Sequence, residues 1–307
     1  MVLMADAILD RMKLKSQLQR WRFVAIAAVA FLAAMVFHPF GKHGVDGGLT
    51  HGLTSYIARI DIEGIIYENP HWQEVIGEIA DDKSAKALLV YVNSPGGTLV
   101  GAENLFNELK YVRSKKPVVV IMGDYAASGG YWVSIAADRI FAREGTMTGS
   151  IGVIMQTPEV TGLIDKIGIK MYTFKSSELK GSPSPFEKMT PQVEHAVNDM
   201  ILDAYNIFVE HVAQSRNFSI EETKKLADGR VYSGRQAVKL KLVDAIGGQR
   251  EAIEWLTKEK QIEATIDIKK VSLDEEKTVM DQLFSSMASA AGFNSQSLRS
   301  GLWAMLQ

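Results

Sequence analysis

Two short and almost wholly apolar runs, ALLVYVN at residues 87–93 and PVVVIM at 117–122, set the folding options of this chain. Each is followed by a glycine-bearing turn and then by a helical pattern. A strand that is apolar at nearly every position must be covered on both faces, which is the condition of a parallel sheet layered between helices. The neighbouring segments fit that layout. Residues 55–66 predict a strand or hairpin, 71–81 a helix, 100–113 a helix with apolar spacing, and 130–137 another helix, so the order is βαβα and the class α/β. Further along, 139–142 and 151–155 are expected as short strands, 161–167 as a helix and 170–174 as a strand. Pro191 opens the longest helical pattern, 190–216, with Val193, Val197, Met200, Ile201, Ala204, Ile207 and Phe208 on one face. Shorter helices at 220–227, 234–239 and 249–258 make a C-terminal helical region, and no internal repeat is present.

The start of the chain has a different character. Residues 23–37 read FVAIAAVAFLAAMVF without a charge, behind Arg11, Lys13, Lys15, Arg20 and Arg22. With Trp21 and the residues to Phe40 as interfacial flanks, the segment approaches the roughly 17–20 residues that one membrane span requires. This predicts an N-terminal transmembrane helix at 23–40, with the basic residues 1–22 kept cytoplasmic and everything beyond about Gly41 on the far side. No A-x-A pattern closes the apolar run, which favours an uncleaved anchor over a removable signal peptide. Residues 41–54, rich in Gly and His, read as a flexible stalk; 55–275 as the folded domain; and 276–307, rich in Ser, Ala and Gly, as a mobile tail or a segment docked on a partner. The expected location is a single-pass protein of the cell's inner (plasma) membrane.

Charge and composition exclude several functions. The formal net charge is -2 and no basic stripe follows the first two dozen residues, so no nucleic acid partner is expected. The absence of cysteine rules out thiol catalysis and thiolate metal sites. The six histidines, at 38, 43, 51, 71, 195 and 211, show no metal-ligand spacing, so neither a metal nor another cofactor is expected.

Chemistry is concentrated in two turns. GDYAASGGYW at 123–132 places Ser128 among tiny residues just before a helix, and NSPGG at 93–97 repeats the design one βα unit earlier. In a parallel sheet both turns emerge at the C-terminal edge, where ligands collect. A helix N-terminus offers unpaired N–H groups and partial positive charge to a developing oxyanion. The N–H of Gly96 or Gly97, with that of Gly129, could clamp one carbonyl oxygen, each donor contributing on the order of 3 kcal/mol to the transition state. Taken singly, each turn is equally compatible with tight packing. A serine nucleophile also needs a base, and no histidine is well placed for it. The loop FKSSELKGSPSP at 174–185 offers Lys175 and Lys180 instead. A free lysine is only about 0.04% neutral at pH 7, and lowering its pKa by about 3 units costs roughly 4 kcal/mol that the fold must supply.

Four motifs in order, VNSPGG (92–97), GDYAASGGYW (123–132), TGSIGV (148–153) and DGRVYSGRQAVKLKLVDAIGG (228–248), carry a resemblance to the signal peptide peptidase A family of Ser/Lys membrane proteases. The resemblance spans about 56–254. It implies the Clp protease/crotonase-like architecture of ββα repeats, with Ser128 as nucleophile, Lys180 as general base with Lys175 as the alternative, and Ser150 as an accessory hydroxyl that orients the lysine. It also implies an oxyanion hole from Gly96 or Gly97 with Gly129. The chain has the length of the family's single-copy members, in which serine and lysine come from different copies of the fold. The resemblance therefore implies a homo-oligomeric ring with sites shared between protomers and shielded from water. The substrates implied are apolar peptides such as remnant signal peptides. Two other functions fit the same turns: a crotonase-like enzyme holding an acyl-CoA thioester enolate, and a catalytically inactive membrane scaffold.

Overall fold

The computed structural model describes residues 55–274. The expected basic N-terminus, transmembrane helix, stalk and C-terminal tail lie outside the described residues. Strand β1 (Tyr56–Ile66) leads to helix α1 (Pro70–Asp81), whose first turn carries Pro70 and is capped by the Asn69 side chain accepting from the His71 N–H. Strand β2 (Ala85–Gly97) ends in the first glycine turn, and Thr98 caps α2 (Leu99–Lys115) by accepting from the Gly101 N–H. Strand β3 (Val118–Ala127) then runs into α3 (Gly129–Ser134), so Ser128 stands at the junction of strand and helix.

Strands β1, β2 and β3 are parallel neighbours, as the apolar runs require. Beyond β3 the sheet divides. Residues 119–121 of β3 pair with β4 (Arg139–Ala142), while 125–127 pair with β5 (Met147–Gly149). The division coincides with a register irregularity between Val92 and Ser94 of β2 and with Gly123 of β3. A β-carbon on Gly123 would come within 2.5 Å of the Tyr91 hydroxyl, so a larger residue would have to displace the Tyr91 ring at the bend. Past the irregularity β2 stays in the sheet, with Ser94 opposite Ala126 of β3 and Gly96 and Gly97 opposite Ile65 and Ile66 of β1, so Gly97 and Ser128 come to the same C-terminal edge.

Helix α4 (Thr161–Lys166) follows, then the long α5 (Pro191–Arg216) and α6 (Ile220–Leu226). Strand β6 (Val231–Ser233) pairs antiparallel with β5, and α7 (Gly234–Lys239) leads to β7 (Ala245–Ile246) beside β4. Helix α8 (Gln249–Lys260) packs on the sheet, and β8 (Asp267–Lys270) closes its far side parallel to β1. Ala87, Leu89, Val119 and Ile121 form one core with Ala252 and Leu256 of α8. Their alternates Leu88, Val90, Val118 and Val120, all fully buried, occupy the opposite face of the sheet.

The parallel α/β class and the principal helices agree with the sequence reading. Two expected strands do not form. The strand anticipated at 151–155 lies earlier, at β5, because Gly149 (φ +80°) and Ser150 (φ +49°) turn the chain out of extended geometry. Residues 170–174 form no strand either. Among the described residues no strand edge pairs with their backbone groups, and Phe174 is 95% exposed. The short strands β6, β7 and β8 were not anticipated; at two to four residues they are too brief for a period-2 pattern.

Candidate active site

Ser128 adopts φ 51°, ψ -121°, a conformation that side chains other than glycine rarely take and that costs of order 1–3 kcal/mol. It is the sharp strand-to-helix turn that presents a hydroxyl above a sheet edge. Three contacts hold it there. The Ser128 N–H donates to the Gly149 carbonyl at 2.8 Å, the Ser128 carbonyl accepts from the Trp132 N–H at 2.9 Å, and the glycine turn of β2 presses against its side. Serine is a favoured N-cap, yet the hydroxyl of Ser128 makes no capping bond to α3, so it is not spent on its own helix.

Packing with the first glycine turn explains the small residues. A β-carbon on Gly96 (φ +121°) would come within 2.9 Å of the Ser128 β-carbon, and one on Gly97 within 1.9 Å of the Ile66 carbonyl oxygen. A β-carbon on Gly129 would stand 3.2 Å from the Gly97 nitrogen, so the two backbones are nearly in contact. The two candidate donors of the first turn are not equivalent. The Gly96 N–H donates to the Ser94 hydroxyl at 3.1 Å, and that hydroxyl in turn donates to the Gly96 carbonyl at 3.2 Å. The Thr98 N–H points at Ile66 of β1, so by strand alternation the N–H of Gly97 points the other way, toward Gly129. Gly129 opens α3, where an N–H has no intrahelical partner.

Ser128, Gly97, Gly129 and Ser150 line one cleft of about 780 Å³, walled by Leu99, Ala102, Trp132, Ile154, Tyr205 and Phe208. Ser150, at φ 49°, is held by its N–H donating to the Arg230 carbonyl at 2.8 Å. Among the described residues neither lysine nor histidine lines the cleft. Asp228 does, but its carboxylate accepts from Arg230 Nε at 2.8 Å, and that hydrogen bond holds it below the usual carboxylate range, making it a poor proton acceptor.

The two lysines of the loop differ. Lys175 Nζ is tied to the Glu187 carboxylate and donates to the Ser182 hydroxyl at 3.0 Å, and Glu187 is held below its ordinary range by that lysine. The Lys175 ammonium group is thus engaged within its own loop. Lys180 is exposed in a turn closed by its N–H donating to the Ser177 carbonyl, and it is not part of the Ser128 cleft. The structure therefore gathers Ser128, Gly97, Gly129 and Ser150, turns Gly96 inward onto Ser94, and leaves Lys180 apart.

Sequence reasoning passed over Ser94, although it stands in the same NSPGG run. A serine two residues before a glycine that needs positive φ is a signal for a local turn bond. It also missed the clamp on β5, where the Thr148 hydroxyl donates to the Ala126 carbonyl at 2.6 Å.

Residues 110–263 match the family model described as Peptidase family S49, a span of half the chain that takes in Ser128, Ser150 and Lys180. The chain belongs to peptidase family S49. An S49 relative from Enterococcus faecium, provisionally named signal peptide peptidase SppA, is 38% identical over 225 residues, which cover 68% of this chain and 65% of the relative. A provisionally named protease of Synechocystis is 36% identical over 220 residues, covering 71% of this chain and 78% of its own. This S49 chain thus spans just under two thirds of the first relative. Among solved structures, a ClpP1 mutant from Listeria monocytogenes aligns with 63% of this chain and 92% of its own at 17% identity, with a TM-score of 0.40.

Proposed function

We propose that this S49 chain is a membrane-anchored serine endopeptidase in which Ser128 attacks the carbonyl carbon of an apolar peptide segment. The N–H groups of Gly97 and Gly129 receive the charge that develops on the carbonyl oxygen. Lys180 of a neighbouring copy takes the Ser128 proton and returns it to the leaving amine, with the Ser150 hydroxyl orienting its nitrogen. Water then attacks the acyl-serine and releases the second fragment. The observation that carries this reading is the strained, uncapped Ser128 hydroxyl facing two glycine backbones in an apolar-walled cleft.

The missing base supports a shared site. Between residues 154 and 189 large apolar side chains stand in solvent, with Phe174 95%, Ile154 83% and Tyr172 75% exposed, more than a monomer ordinarily leaves uncovered. A second copy packed on this segment would bury it and bring its lysine loop to a serine cleft. The division of the sheet at β3 supports the Clp- and crotonase-type ββα architecture that such rings use. An N-terminal anchor with the domain on the non-cytoplasmic side completes the proposal, giving access to apolar segments left in the membrane.

Hydrolysis of an unstructured apolar peptide by the full chain tests it. Ser128→Ala and Lys180→Ala should each lower kcat by at least about 10⁴-fold. Full activity in either variant would overturn the dyad.

A further inference from the structure

His211 is half-buried in the molecule and has no part in the peptide-bond chemistry. It sits on α5 with its ring stacked on Phe106 of α2, centroids 4.6 Å apart. Its Nδ1 accepts a 2.8 Å hydrogen bond from Nε1–H of Trp132, one turn beyond Ser128 on α3. The other side of the indole stacks on Phe208 at 4.6 Å and 10°. Trp132 and Phe208 both line the Ser128 cleft. The indole is buried, only 2% exposed, and within that packing its one polar atom is fixed by a group that can titrate.

We propose that His211 is a positioning residue for substrate selection: its neutral ring fixes the Trp132 indole as the wall that receives an apolar substrate side chain beside Ser128, and protonation of the ring releases that wall. The inference rests on Ser128 being the reacting group. An indole N–H can only donate, so it requires an unprotonated Nδ1; a doubly protonated imidazole presents an N–H to it and the bond is lost. Burial lowers the pKa of His211, favouring the neutral ring. The charged groups around it are Glu103 and Lys110 from α2 and Glu210 on its own helix: the two carboxylates raise the pKa and Lys110 lowers it, while α3 contributes no charge. The sign follows. The ring is neutral at pH 7 and protonates below its ordinary value of 6.5, so the wall loosens on acidification.

Tryptophan fluorescence of the full chain, followed from pH 8 to 5, gives a readout that needs no peptidase activity. A transition with its midpoint below 6.5 should appear in the wild type and vanish in Trp132→Phe and in His211→Asn, whose amide oxygen can accept the same bond without titrating. In parallel, KM for the apolar peptide should rise about fivefold across the same transition, and kcat should not follow it; His211→Asn should abolish this dependence, and His211→Phe should raise KM at every pH. No transition in the wild type, or an equal one in Trp132→Phe, would overturn the proposal. A transition in a protein without peptidase activity would count against the Ser128 reading and leave the His211 coupling standing.

Discussion

The turn that bears Ser128 and the segment that bears Lys180 lie in the same chain but are built by opposite means. Around Ser128 every neighbour is fixed. Ala126 is fully buried, Ala127 nearly so, Gly96 and Gly97 leave no room for a β-carbon, and backbone bonds from Gly149 and Trp132 pin both sides of a strained residue. Around Lys180 little is fixed by the chain itself: residues 167–190 form no strand or helix, and their apolar side chains face solvent. Strain can persist only where surrounding structure over-determines it, so a nucleophile can be prepared within one chain. The lysine half instead leaves an apolar surface in solvent, the surface that the proposed function assigns to a second copy.

The sharpest way to break the comparison is to disturb the fixed half. Gly97→Ala would drive a methyl group into the Ile66 carbonyl oxygen and displace the N–H proposed to receive the oxyanion. Peptide hydrolysis should fall by about 10²–10³-fold, and kcat should carry most of the loss. Wild-type kcat in this variant would remove the Gly97 N–H from the mechanism. A weaker effect is expected in the exposed half. Phe174→Asp should shift sedimentation toward the monomer and lower activity at least about 10-fold at dilute concentration, with little change in monomer stability because the side chain is solvated. A variant that stays assembled and active would show that this surface faces something other than a copy of the chain. The smallest change belongs to Lys175. Lys175→Ala breaks its pair with Glu187 at a partly solvated site, and activity should stay within about threefold of wild type. A loss as large as that of Lys180→Ala would reverse the roles of the two lysines.

The same contrast explains what the sequence revealed. The strands at 87–93 and 117–122 and the helices at 100–113 and 190–216 were legible because they answer to burial, and burial leaves a pattern in the residues themselves. The Ser128 turn was legible in part: tiny residues signal a close approach of backbones, but not which backbone comes close. That Gly96 would be held by Ser94, freeing Gly97 alone, depends on a side-chain bond two residues long within a strand end. The run at 170–174 misled because its residues suit a strand, while none of the described residues pairs with it. Trp132 and His211, 79 residues apart in sequence, come together only through the packing of α3 against α5, and no local pattern announces such a pair.

The central claim is that Ser128 and Lys180 act together from different copies. Co-expressing Ser128→Ala with Lys180→Ala and measuring hydrolysis of the apolar peptide by the mixed assembly tests it most directly. Each variant alone is expected to be inactive. Random mixing of equal amounts should restore activity at about a quarter of the sites, where a chain that keeps its serine meets a neighbour that keeps its lysine. A mixed assembly as inactive as either parent, once shown to contain both chains, would contradict the account.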